Sequence, residues 1–90
     1  MTEPHDTRLR RLTMRSMRRG IKEMDIILSA YAAARLETMT AQDLDAYEAL
    51  LSENDQDLYQ WVSGQQPCPQ RLAPLVADIA QSIASGVQNG

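Results

Sequence analysis

The sequence predicts an all-α fold, a compact single domain of about five short helices. Its 90 residues are enough for one small hydrophobic core. Ala, Leu, Gln and Arg favour helix, Phe is absent, and no stretch alternates apolar and polar residues as a strand does. We expect a flexible tail over residues 1–6, a helical domain over residues 7–85 and a frayed C-terminus over residues 86–90.

The first predicted helix covers residues 7–19 and carries a basic stripe on one side. Leu9, Leu12 and Met17 lie on the other side and face the core. Glycine inside a helix costs about 1 kcal/mol relative to alanine, so Gly20 is expected to end or sharply turn this helix. The stripe consists of Arg8, Arg11, Arg15 and Arg18.

The second predicted helix covers residues 21–35. Glu23 falls at the edge of its apolar face, and Ile26 points away from the core. An outward isoleucine beside a charged residue is consistent with a contact surface, although a single exposed apolar residue is also normal on a protein surface. The inner face consists of Ile21, Met24, Leu28 and Tyr31.

Local signals mark the remaining helices. Thr40 is a good N-cap with Asp43 at the N3 position, and Asn54 begins a short fourth helix whose C′ residue is Gly64. A fifth helix covers residues 70–85. The inward-facing residues are Leu44, Tyr47, Leu50, Leu51, Leu58, Trp61, Val62, Leu72, Leu75, Val76, Ile79 and Ile83.

The charges are distributed unevenly along the chain. Residues 8–22 contain seven basic residues and no acidic one, whereas eight acidic residues and the single base Arg71 follow from Leu36 onward. We expect a dipolar surface that orients a partner. The basic stripe could be a solvated helix face, could meet an acidic protein or could bind a phosphate backbone.

Catalytic, metal and cofactor chemistry have little support in the sequence. His5 lies in the polar tail, and Cys68 stands between two prolines without a histidine nearby to activate it. Asp55 and Asp57 are interpreted as residues that favour a helix start, because metal binding would need more oxygen ligands. We predict no catalytic residue, no metal site and no stably bound cofactor.

The composition of the N-terminus gives an expectation for location. Residues 1–7 include Glu3 and Asp6 and lack an apolar run, so they resemble neither a secretory signal nor an Arg-rich transit peptide. No run of about 18 apolar residues predicts a membrane helix. We therefore expect a bacterial cytoplasmic protein that does not bind a membrane.

The segment Arg19-Gly20-Ile21-Lys22-Glu23 resembles the RGxxE motif of the FAD assembly factor SdhE family, some of whose members were formerly labelled antitoxins. The likeness runs from about Arg8 to Val62. It includes the acidic stretch Asn54-Asp55-Gln56-Asp57-Leu58-Tyr59, and Trp61 with Gly64 soon after.

This resemblance implies both an architecture and a function. Family members are five-helix bundles that bind the flavoprotein subunit of succinate dehydrogenase, or in bacteria that of fumarate reductase. They promote covalent attachment of FAD to a histidine of that client, so FAD and histidine both belong to the client. The resemblance thus implies a non-enzymatic assembly factor, and we expect the free protein to be a monomer.

The same resemblance suggests which residues meet the client. Gly20 would allow close approach of the backbone, and Arg19 and Glu23 would make charge-assisted hydrogen bonds to the client. The alternative function is a small regulatory or nucleic-acid-binding bundle that uses the Arg-rich first helix. The predicted partner-binding residues are Arg18, Arg19, Gly20, Lys22, Glu23, Ile26, Asp55 and Tyr59.

Overall fold

A computed structural model describes the backbone of residues 3–89 and the side chains of residues 3–83. Within residues 3–89 no strand occurs, which confirms the predicted all-α class. One-turn 3-10 helices at Leu36–Thr38 and Gln70–Leu72 lead into the third and fifth α-helices. The α-helices are α1 His5–Arg15, α2 Lys22–Arg35, α3 Ala41–Leu51, α4 Asp55–Val62 and α5 Ala73–Asn89.

The core takes fully buried side chains from all five helices. The rings of Tyr31 and Tyr47 are buried in it, with centroids 5.9 Å apart. Trp61 and Tyr59 on α4 are half-buried and pack against the core from its edge. The main members of the core are Leu12, Met24, Leu28, Leu44, Leu50, Leu51, Leu58, Val62, Leu72, Val76 and Ile79.

The predicted helix ends of α3 and α4 are confirmed. The Thr40 hydroxyl accepts a hydrogen bond from the Asp43 amide, and the Asp43 carboxylate accepts one from the Thr40 amide. Asn54 caps α4 with a single bond, since its Oδ1 accepts from the Gln56 amide at 2.8 Å. After α4, Gly64 has a φ of +82°, which a glycine adopts without strain.

The predicted end of the first helix is wrong. Helix α1 stops at Arg15, four residues earlier, because Ser16 is its C-cap and the backbone turns into the left-handed region at Arg18. The buried Ser16 Oγ donates to the Leu12 carbonyl at 2.8 Å and accepts from the Tyr47 hydroxyl at 2.6 Å. Met17, predicted to face the core, lies beyond the helix and is 42% exposed.

Gly20 does not make the turn that was expected of it. Among residues 3–89, the residues with a left-handed backbone are Gly64 and Arg18, whose φ is +55°. The chain therefore turns at Arg18, two residues before the glycine.

The predicted outer boundaries also differ from the observed helices. Helix α1 begins at His5, inside the predicted tail of residues 1–6, because Pro4 and the acidic Asp6 suit a first turn. Helix α5 continues to Asn89, past the predicted boundary at residue 85. Fraying over residues 86–90 stays a prediction, since the side chains there lie outside the described residues.

Candidate functional site

The Arg19 side chain joins three helix ends. Its Nε donates to Asp55 Oδ1 at 2.7 Å, its Nη1 to the Arg15 carbonyl at 2.8 Å and its Nη2 to the Leu51 carbonyl at 3.1 Å. Arg15 and Leu51 are the last residues of α1 and α3, where unpaired carbonyls and the helix dipole favour a cation. Asp55 is the first residue of α4, where the dipole favours an anion.

Gly20 approaches the same carboxylate from the other side. Its amide donates to Asp55 Oδ2 at 2.6 Å, and a Cβ added to Gly20 would lie 3.1 Å from that oxygen. The φ of Gly20 is not left-handed, so what favours a glycine here is the close approach, because the Asp55 carboxylate would have to shift by a few tenths of an ångström to admit a Cβ. Residues 16–21, which connect α1 to α2 and are held by Asp55, are called the corner below.

Three charged side chains in the corner and at the start of α2 point outward. Arg18, Lys22 and Glu23 are exposed, and none of them makes an ion pair within residues 3–83. Ile26, one turn further along α2, is 61% exposed, so its predicted outward orientation is confirmed.

The predicted partner-binding residues therefore divide into two groups. The side chain of Arg19 is only 11% exposed and bonds internally, so its contact with a partner stays a prediction. Asp55 is likewise turned inward, and Tyr59 packs at the core edge. Gly20 and the outward side chains of Arg18, Lys22, Glu23 and Ile26 form the accessible group.

Two exposed apolar residues near the corner were missed by the sequence analysis. Met14 is 62% exposed on the last turn of α1, and Met17 follows it within the corner. Met17 was predicted to face the core because the first helix was expected to continue to Arg19. For Met14, helical periodicity offered the signal, since two residues place it about 200° around α1 from the buried Leu12.

The basic stripe is largely paired within the molecule. Arg8 contacts Asp45 at 2.6 Å and Glu48 at 3.2 Å, and Arg11 contacts Glu48 at 3.0 Å. Arg15 also reaches Glu48, at 4.0 Å. The hydrogen bond from Arg11 holds the pKa of the Glu48 carboxyl below its usual value. The expected separation of positive and negative surfaces is thus reduced, because α1 and α3 neutralise each other.

The residues considered for catalysis stand apart from the corner. His5 is exposed at the start of α1, and Cys68 is a half-buried free thiol in the segment before α5. Over the described chain, no three His, Cys, Asp or Glu side chains are grouped so that they could hold a metal ion. None of the helices described is both long and apolar enough to cross a membrane.

Comparison with known proteins places the chain in a family. Residues 10–83, which include the corner, Asp55 and all of α2 to α4, match the family described as "Flavinator of succinate dehydrogenase". The chain belongs to this family. The resemblance inferred from the RGxxE segment is thereby confirmed.

Curated relatives carry names that agree with the family. "Succinate dehydrogenase assembly factor 2, mitochondrial" of Candida glabrata is 43% identical over 74 residues, covering 79% of this chain and 48% of the relative. The protein of the same name from Yarrowia lipolytica is 40% identical over 74 residues, covering 79% of this chain and 51% of the relative. The chain therefore spans about half the length of these relatives.

These relatives overturn the expected location. The sequence analysis expected a bacterial cytoplasmic protein, but the similar proteins come from fungi and are named as mitochondrial, including one from Saccharomyces cerevisiae that is 43% identical over 61 residues. The expectation rested on the composition of residues 1–7 and on the absence of a long apolar run, and it is wrong.

Proposed function

We propose that this chain is a non-catalytic assembly factor that binds the flavoprotein subunit of succinate dehydrogenase or fumarate reductase. In this role it promotes covalent attachment of FAD to that subunit. The family match over residues 10–83 and the names of the fungal relatives support the proposal. The observation that carries it is the corner, where the segment resembling RGxxE has its backbone fixed by Arg19 and Asp55 and the side chains of Lys22 and Glu23 exposed.

The corner is suited to binding because it is ordered in advance. The Asp55 carboxylate binds both the Arg19 side chain and the Gly20 amide, and these bonds fix the backbone of the corner. Little conformational entropy is therefore lost when a partner binds. Gly20 adds no side chain that would keep a partner away. Glu23 and Lys22, at the start of α2, offer charged groups to the partner surface.

The proposed mechanism is positioning rather than acid–base chemistry. Covalent attachment requires the 8α carbon of the flavin to lie close to a histidine of the client. A partner that stabilises the client conformation with this geometry raises the rate without a reacting group of its own. In this proposal the chain holds no FAD of its own, and His5 and Cys68 take no part in the reaction.

Nucleic-acid binding through the basic stripe, the alternative function, has less support. Three arginines of the basic stripe form ion pairs with α3 or with Glu3, so their charge is not available to neutralise phosphates unless those pairs break. We therefore propose a protein partner alone.

The proposal is tested by covalent flavin fluorescence of the client on a denaturing gel. Purified flavoprotein subunit is incubated with FAD and with the wild-type chain, or with the variants Gly20→Arg, His5→Ala or Cys68→Ala. We expect wild-type levels of covalent flavin with the last two and little above background with Gly20→Arg. Circular dichroism should show that Gly20→Arg remains helical.

Two results would contradict the proposal. One is a wild-type chain that neither binds the flavoprotein nor raises its covalent flavin. The other is a loss of covalent flavin with His5→Ala or Cys68→Ala at full binding, which would give the chain a direct part in the chemistry.

A further inference from the structure

Arg18 occupies a backbone conformation that its residue type disfavours. Its φ of +55° lies in the left-handed region, where a Cβ crowds the following carbonyl and where glycine, or asparagine to a lesser degree, is favoured. Its side chain is exposed and makes no ion pair within residues 3–83, so no contact described in the fold compensates for the strain.

Lys22 is also placed against its local preference. It is the first residue of α2, where the positive end of the helix dipole disfavours a cation. It too is exposed, and no carboxylate of the described residues pairs with it. By contrast, Arg8, Arg11, Arg15 and Arg19 all have carboxylate partners.

Two disfavoured cations thus lie four residues apart in the chain, Arg18 in the corner and Lys22 directly after it. Residues that lower local stability without an internal compensation mark functional sites, because the compensation comes from a partner. The cations are placed for an anionic group outside the molecule. One turn beyond Lys22, the exposed Ile26 lies on the same side of α2 and adds an apolar contact.

We infer that Arg18 and Lys22 form an anion-recognition point that pairs with carboxylates on the surface of the flavoprotein partner, at a cost to the chain's own stability. This inference rests on the proposed function and adds the residues and the chemistry of the contact. A guanidinium suits a carboxylate, since it can donate two parallel hydrogen bonds.

The test compares stability and binding in the same variants. Arg18→Gly relieves the strain and removes the charge, so Tm should rise by roughly 4 °C while Kd for the flavoprotein subunit weakens about tenfold. Arg18→Lys keeps both charge and strain, so it should bind far better than Arg18→Gly and show no gain in Tm. Lys22→Gln should also raise Tm slightly and weaken binding.

Arg10→Gln is the matched control. Arg10 is an exposed arginine on α1 that has no ion pair among the described residues, and it lies outside the corner. Its substitution removes the same charge and should change neither Tm nor Kd. Thermal melts by circular dichroism give Tm, and isothermal titration calorimetry with FAD-free and FAD-loaded flavoprotein gives Kd.

The outcomes separate this inference from the proposed function. Unchanged binding by Arg18→Gly, an equal loss with Arg10→Gln, or a fall in Tm with Arg18→Gly would overturn the inference while the proposed function stands. A loss of affinity only with FAD-loaded flavoprotein would also overturn it, because the anion would then be the FAD phosphate. A wild-type chain that does not bind the flavoprotein would remove both.

Discussion

Arg19 and Asp55 form the one ion pair among the described side chains in which both partners are less than one-fifth exposed, at 11% and 16%. They are 36 residues apart in the chain, and they connect the corner to the start of α4. Because water screens this pair less than the surface pairs of α1, it contributes more to stability than they do.

Asp55→Asn keeps the shape of the side chain and removes its charge. We expect the free energy of unfolding to fall by about 2 kcal/mol, because charge-assisted hydrogen bonds to Arg19 and to the Gly20 amide are weakened. Affinity for the flavoprotein should fall as well, since the corner is less well fixed. Urea unfolding and calorimetric titration measure the two effects.

Asp57→Asn is the matched control for that substitution. Asp57 lies on the same turn of α4, is exposed and has no ion pair within residues 3–83. It should lose only about 0.5 kcal/mol of helix-dipole stabilisation and no affinity. Equal effects of the two variants would mean that the contact between Asp55 and the corner has no special role.

Gly20→Ala tests the close approach alone. Its Cβ would lie 3.1 Å from Asp55 Oδ2, so the carboxylate must shift by a few tenths of an ångström and the 2.6 Å bond from the Gly20 amide lengthens. We expect a folded protein whose Kd is several-fold weaker, between the wild type and Gly20→Arg. Wild-type affinity for Gly20→Ala would show that only large or charged side chains matter at this position.

Glu23→Gln removes an exposed charge beside the corner and preserves the shape of the side chain. Complex formation with the flavoprotein should weaken, and a higher concentration of either partner should partly restore covalent flavin, as expected for lost binding energy. Thermal stability should change little, because Glu23 has no ion pair among residues 3–83. Normal binding without covalent flavin at saturation would instead give Glu23 a direct role in the reaction.

The two core tyrosines predict how stability depends on pH. Burial raises the pKa of the hydroxyls of both Tyr31 and Tyr47. For Tyr31, the hydrogen bond to Asp78 raises the pKa further. In the unfolded chain tyrosine has a pKa of about 10, so the stabilisation is complete below that pH and is lost as the pH rises further. Each tyrosine should contribute a slope of up to about 1.4 kcal/mol per pH unit.

Urea unfolding at several values between pH 8 and pH 11 measures this dependence. Tyr31→Phe should reduce the alkaline slope by roughly half, because one of the two tyrosines no longer ionises in the unfolded state. Tyr59→Phe serves as the control, since Tyr59 lies at the core edge and makes no described side-chain hydrogen bond. An unchanged slope in Tyr31→Phe would contradict this explanation.

Local signals account for the parts of the fold that the sequence predicted correctly. The apolar periodicity of α2 and α3 fixed their inner faces, and Thr40, Asn54 and Gly64 marked helix ends through interactions within a few residues. These signals suffice for the helices because each depends on neighbours in the chain.

The incorrect predictions concern features that depend on contacts between residues far apart in the sequence. No residue type between Arg15 and Arg19 predicts a helix end locally, and the contacts that hold this segment outside a helix are distant in sequence: Ser16 with Tyr47, 31 residues away, and Arg19 with Asp55, 36 residues away. Arg19 and Asp55 were both predicted as site residues, but periodicity gives no means of pairing them with each other. The acidic residues of α3 offered a signal for the ion pairs of the basic stripe, since the two helices carry opposite charge.

Arg19 bonds to the ends of three helices, so the RGxxE segment is not a linear binding motif. Its bonds to Leu51 and Asp55 span 32 and 36 residues, so the corner exists only after α1, α3 and α4 have docked. A peptide copied from residues 15–26 would contain every outward side chain of the corner and would still lack its shape. Recognition of the corner therefore also distinguishes folded chains from unfolded ones.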